Sequence, residues 1–158
     1  MKKHALLLAG CLILSGSLWA GEGVSITGCW VRAMPPGQQA TACYCTFENG
    51  QTKAAGVTGG ESPLFARVEL HESLTLNGVA MMKAVKELAV PPRGKVVLQP
   101  GGLHIMLIAP QRHLKMDEKV PLTFTFADGS RQTVEAVVRQ GPAMGNHEHQ
   151  HAPAKPAH

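Results

Sequence analysis

Apolar and polar residues alternate in short runs along this chain, and each run stops at a turn signal. Val24–Ala33, Ala40–Glu48, Arg67–Leu76, Val79–Val85, Lys95–Leu98, Leu103–Ala109, Val120–Ala127 and Thr133–Arg139 read as strands. Between them stand Met34-Pro35-Pro36-Gly37, Asn49-Gly50, Asn77-Gly78, Pro100-Gly101-Gly102 and Asp128-Gly129, which break regular structure in known ways. Gly56–Pro63 is Gly-rich and reads as an irregular strand or a loop. Val90–Gly94 reads as a linker-like loop, and Gln111–Lys119 as a polar loop whose His113 and Met116 are solvated. No run of useful length has the helical period, and no internal repeat is visible. Short strands with frequent turns predict an all-β sandwich or barrel.

Length and composition sharpen this to one domain with two tails. The 158 residues contain 17 Gly and 11 Pro, are 44% hydrophobic and only 16% charged. That is enough apolar chain for a genuine core, and frequent Gly and Pro with strand-like runs between them lean to all-β and not helical structure. Residues 1–20 have the anatomy of a secretory signal: Lys2 and Lys3, an apolar stretch from Ala5 to Leu14, and Leu18-Trp19-Ala20 before Gly21. The apolar stretch is too short to span a bilayer, so export to the periplasm is expected without a spanning segment. A second reading is Leu8-Ala9-Gly10-Cys11 as a lipoprotein processing box with Cys11 acylated. Residues 21–140 form the expected β-domain. The net charge of +4 is modest, and no basic cluster with interleaved aromatics supports nucleic-acid binding. Residues 141–158 offer little to bury and are expected to be a disordered tail. Their His147-x-His149-x-His151 tract can bind metal, and imidazole donors suit Cu(II) among others.

The candidate chemistry lies in His71, Met82, His104 and Met106. Two imidazoles and two thioethers make a soft, uncharged donor set that favours Cu(I) over hard cations. Asn77-Gly78 is a strong signal for a two-residue type I′ hairpin. In that register His71 stands opposite Ala84, and Met82 becomes a diagonal neighbour on the same face, about 7–8 Å away. Met81 then points to the other face. His104 and Met106 are two apart on one strand and share a face. Singly, each would be core filler or a solvated bystander. As four, with consistent parity, they predict a site. A loop one residue longer would put Met81 there instead.

The pattern of His71, ten residues, Met82, twenty-one residues, His104-Ile105-Met106 resembles the periplasmic copper chaperone family called PCu(A)C. Trp30-Val31-Arg32-Ala33, Met34-Pro35-Pro36-Gly37 and Pro100-Gly101-Gly102-Leu103 match it too, and the likeness covers roughly residues 24 to 140. The resemblance implies a cupredoxin-like Greek-key β-barrel that carries Cu(I) at a partly exposed site. It also implies a copper-accepting partner, such as the binuclear copper subunit of cytochrome c oxidase or another copper chaperone. Copper buffering or resistance uses the same ligands without delivery. Met34, on the Pro-Pro-Gly loop, is expected near the site or its docking face.

Three cysteines follow the signal segment. Cys43 and Cys45 share a strand face but sit badly for a bridge to each other, so Cys29 with one of them is the expected disulfide. A thiol–disulfide oxidoreductase using Cys43 and Cys45 is the competing enzyme reading, but no basic neighbour lowers a thiol pKa. There is no nucleophile elbow, no His-Glu-x-x-His helix and no carboxylate pair near the histidines, so the expectation is a carrier rather than an enzyme.

Overall fold

A computed structural model describes residues 23–141. The expected signal segment and the His147–His151 tract lie outside the described residues. Ten strands were found and, among the described residues, no helix: β1 (Val24–Arg32), β2 (Ala40–Asn49), β3 (Ala55–Ser62), β4 (Phe65–Leu76), β5 (Val79–Ala84), β6 (Leu88–Val90), β7 (Lys95–Val97), β8 (Leu103–Pro110), β9 (Lys119–Phe126) and β10 (Arg131–Arg139). Gly56–Pro63, left open by the sequence, is largely strand β3. Leu88–Val90 is a short strand that the alternation did not show.

Seven strands close into a barrel in the order β4-β8-β2-β1-β10-β9-β3, with β3 returning to β4. β1 and β10 run parallel, and the other pairs are antiparallel. Closure removes the open edges that a sheet of this size would otherwise present. β5, β6 and β7 lie outside the ring, on β4, β3 and β2.

Inside the barrel the odd positions of β2 and β8 meet the even positions of β9. Cys43, Cys45, Phe47, Ile105, Leu107, Val120, Leu122 and Phe124 are all at most 1% exposed. Phe47 and Phe124 close the middle with an edge-to-face contact, ring centroids 5.2 Å apart. Period two then dictates the outer wall. With Ile105 and Leu107 inside, His104 and Met106 face out; with Leu70 inside opposite Ile105, Glu69 and His71 face out.

The cysteines depart from expectation. β1 and β2 are indeed neighbours, but the register slips between Thr27↔Thr46 and Trp30↔Tyr44. Gly28, at φ +63°, and Cys29 together oppose the single residue Cys45. That is a bulge with glycine in the left-handed position, where a side chain would be strained. All three sulfurs are free thiols, and Cys43 Sγ lies 3.9 Å from Cys45 Sγ, a hydrogen-bonding and not a bonded distance.

Candidate metal centre

The hairpin that carries the first two candidate ligands, His71 and Met82, forms as its turn residues dictate. Asn77 and Gly78 have φ of 51° and 78°, the paired positive values of a type I′ turn. The register follows: His71↔Ala84 and Ser73↔Met82, with Met81 opposite Leu74 on the other face. The second pair is set by the turn before β8. Pro100 supplies the fixed φ of its first central position and Gly101, at φ +83°, the second, closed by Gly102 N–H donating to the Gln99 carbonyl at 3.1 Å. β8 then pairs with β4 so that His71 stands directly opposite His104 and Glu69 opposite Met106. The two imidazole centroids are 5.9 Å apart.

Each imidazole is held by one nitrogen. Nδ1–H of His104 donates to the Gly102 carbonyl at 3.0 Å, which leaves Nε2 as the lone-pair nitrogen. The same carbonyl accepts Ser73 N–H at 3.1 Å, tying the turn to β4. Nε2–H of His71 donates to Glu69 Oε2 at 3.0 Å, and Arg67 holds the other oxygen of that carboxylate at 3.4 Å. This leaves Nδ1 of His71 buried with no hydrogen-bond partner. A buried lone pair with nothing to accept is costly unless a proton or a metal meets it. Carboxylate or carbonyl partners on the far nitrogen are what orient histidine ligands at metal sites.

Met82, His104 and Met106 line one cavity of about 480 Å³ in the outer wall, together with Arg32, Tyr44 and Gly101. His71 stands beside His104 and is not part of the cavity's lining. Exposure is graded: His104 is 5% exposed, Met106 half-buried and Met82 58% exposed. Among the described residues no three His, Cys, Asp or Glu side chains are placed to hold a metal. A metal at this position therefore needs the thioethers, and such a donor set selects a soft ion.

Sequence reasoning missed Glu69. Its signal was present, since a carboxylate two residues before His71 on one strand must share its face. Removing the carboxylate unlocks the His71 tautomer, so Glu69→Gln is expected to weaken Cu(I) binding by roughly 10–100-fold. A competition titration measures this; an unchanged affinity would mean that the His71–Glu69 bond has no part in the site.

Other candidates are not brought here. Met34, expected near the ligands, is buried at 8% exposure and lines a separate cavity of about 320 Å³ with exposed His113 and Met116. The cysteines face the other side of the wall. Cys29 shares a hydrogen bond with Cys45 and is partly buried, and both effects hold its thiol well above the usual range. At Cys45 the bond from Cys29 favours the thiolate. The bond to Cys43 and burial together outweigh it and raise the pKa. A neutral, buried thiol is a poor nucleophile, which argues against disulfide-exchange chemistry at Cys45. Residues 21–158, unfolded without reductant, should titrate three thiols; a count of one would mean that a bridge has formed.

A model of the LpqE-like family, described as putative lipoprotein LpqE-like, matches residues 24–138. Putative lipoprotein Lxx21020 of Leifsonia xyli subsp. xyli is 33% identical over 119 residues, covering 75% of this chain and 70% of its own length. The solution structure of CuI-DR1885 from Deinococcus radiodurans is 36% identical, with a TM-score of 0.59, over 72% of this chain and 76% of that one. The copper-bound PCuAC domain from PmoF2 has the same fold, with a TM-score of 0.64 at 22% identity over 77% of this chain and 95% of that one.

Proposed function

The chain belongs to the LpqE-like family of putative lipoproteins, and on that premise we propose that it is an exported Cu(I)-binding metallochaperone. His71, Met82, His104 and Met106 are the ligands, and the cargo leaves by ligand exchange with a copper-accepting protein. One observation carries the reading: two imidazoles, each fixed by a hydrogen bond on one nitrogen, face out beside two thioethers, and the free nitrogen of His71 is buried without a partner. A similar protein whose structure is described as its Cu(I) form supports it.

The chemistry suits transport. Thioethers carry no charge and need no deprotonation, so only the two imidazoles make uptake and release of Cu(I) compete with protons. The exposure gradient orders the exchange. Met82 is the outermost ligand and the one an acceptor displaces first, while buried His104 lets go last. We infer that the acceptor is the binuclear copper site of cytochrome c oxidase or another copper chaperone. The His147, His149 and His151 tract serves as a separate site that prefers Cu(II).

The test is anaerobic Cu(I) titration of residues 21–158 against a competing chelator, beside a truncation after Gln140, followed by mixing with apo-acceptor. One tight site that survives truncation, with metal then appearing on the acceptor, is the expected result. Binding lost with the tail would sink the barrel site. Tight binding without transfer would favour copper buffering instead. The description of the relatives as putative lipoproteins also favours the Cys11 reading over cleavage before Gly21. The intact mass of the exported protein separates an acylated Cys11 start from a Gly21 start.

A further inference from the structure

Residues 23–141 hold three histidines and five methionines. The proposed ligands account for His71, His104, Met82 and Met106, and Met81 lies on the other face of its hairpin. The three that remain are Met34, His113 and Met116, and all of them line one cavity of about 320 Å³. They come from two loops far apart in sequence, so it is the fold that brings them together.

Both loops are held in place. Ala33 N–H donates to the Arg139 carbonyl at 2.8 Å, which ties the start of the Met34 loop to the end of β10. In the other loop Leu114 is buried, and Arg112 pairs with the Glu118 carboxylate, which also accepts Lys115 N–H at 2.9 Å. Asp117 N–H donates to the Val138 carbonyl at 3.0 Å, and Val138 N–H donates back to the Glu118 carbonyl at 2.8 Å. This anchored backbone leaves His113 and Met116 exposed beside buried Met34. A buried methionine alone is core filling. An exposed methionine and an imidazole on the same cavity are not explained by packing.

The chemistry of the lining selects the ion. Among the described residues no carboxylate or thiol lines this cavity, and Lys115 adds a positive charge. Two thioethers and one imidazole are soft, uncharged donors that suit Cu(I), and the nearby ammonium repels a divalent ion more than a monovalent one. Ala33, Pro35 and Gln140 line both this cavity and the one that holds Met82, His104 and Met106, so the two adjoin. We propose that Met34, His113 and Met116 form a second Cu(I) site beside the first. With three donors, two of them exposed, it binds more weakly than the four-donor set. The second site stands on its own donors and does not rest on the metal-carrier reading.

The experiment isotope-labels the methionine methyls of residues 21–158 for NMR and adds Cu(I), as its acetonitrile complex, without oxygen. The first equivalent should move the Met82 and Met106 methyls, and further Cu(I) should move those of Met34 and Met116 together. Zn(II) should leave the latter two where they were. His113 is exposed, so His113→Ala does not act by unfolding the barrel. It should abolish the Met34 and Met116 shifts and spare those of Met82 and Met106. Met34→Leu, which keeps the core volume, should abolish the Met116 shift. A Met34 methyl unmoved by Cu(I), a Met116 shift that survives His113→Ala or Met34→Leu, or an equal response to Zn(II) overturns the proposal. Movement of Met34 and Met116 with Met82 and Met106 unmoved would end the four-ligand reading and leave the second site standing.

Discussion

Met82→Ala is expected to weaken Cu(I) binding by more than the roughly 10–100-fold that loss of an outer hydrogen-bond partner costs a metal site, while leaving the melting temperature unchanged. The two halves of that expectation come from one fact. Met82 is 58% exposed on a strand outside the barrel ring, so its side chain supports no core packing. It does lie on the His71 face of the hairpin and lines the ligand cavity. Met81→Ala is the internal control. That side chain is 51% exposed and pairs with Leu74 on the opposite face, so its loss should leave affinity where it was. Competition titration of both variants under anaerobic conditions, with thermal melts of the apo forms, gives the answer. A larger loss from Met81 than from Met82 would mean that the hairpin register is shifted by one residue and the site is built differently.

The same residues show how far the chain could be read unaided. Asn77-Gly78 fixes a hairpin register because only a few residue types tolerate two successive positive φ values, so the turn is decided locally. The parity of His104 and Met106 is equally local. What escaped was decided by neighbours distant in sequence. Leu88–Val90 is a strand because β3 pairs with it, and three residues before Pro91-Pro92 show no period. The Cys29–Cys45 relation depends on the bulge at Gly28, which alternation alone does not reveal. Met34 belongs to a motif that helped identify the fold, yet it packs beside the His113–Met116 loop and not against the strands that carry His71, Met82, His104 and Met106. Glu69 and the Gly102 carbonyl were overlooked because they hold the imidazoles of His71 and His104 in place and lie outside the proposed donor set.

Ile105→Ala should do the reverse of Met82→Ala: a large loss of stability with the ligands still present. Ile105 is fully buried between His104 and Met106 in sequence, but its side chain points through the wall into the barrel. It stands opposite Leu70 on β4 and Cys43 on β2, the strands either side of β8. Emptying that position removes the packing that holds three strands together, and such a change costs about 2–5 kcal/mol. For a domain of this size the melting temperature should fall on the order of 10 °C. At a temperature where the variant is still folded, Cu(I) affinity should change far less than in Met82→Ala, since no donor has been touched. Thermal melts and titration at one temperature decide between the two faces. If Ile105→Ala lost the metal as completely as Met82→Ala while remaining folded, the ligand geometry would depend on core packing. The division of β8 into a supporting inner face and a binding outer face would then fail.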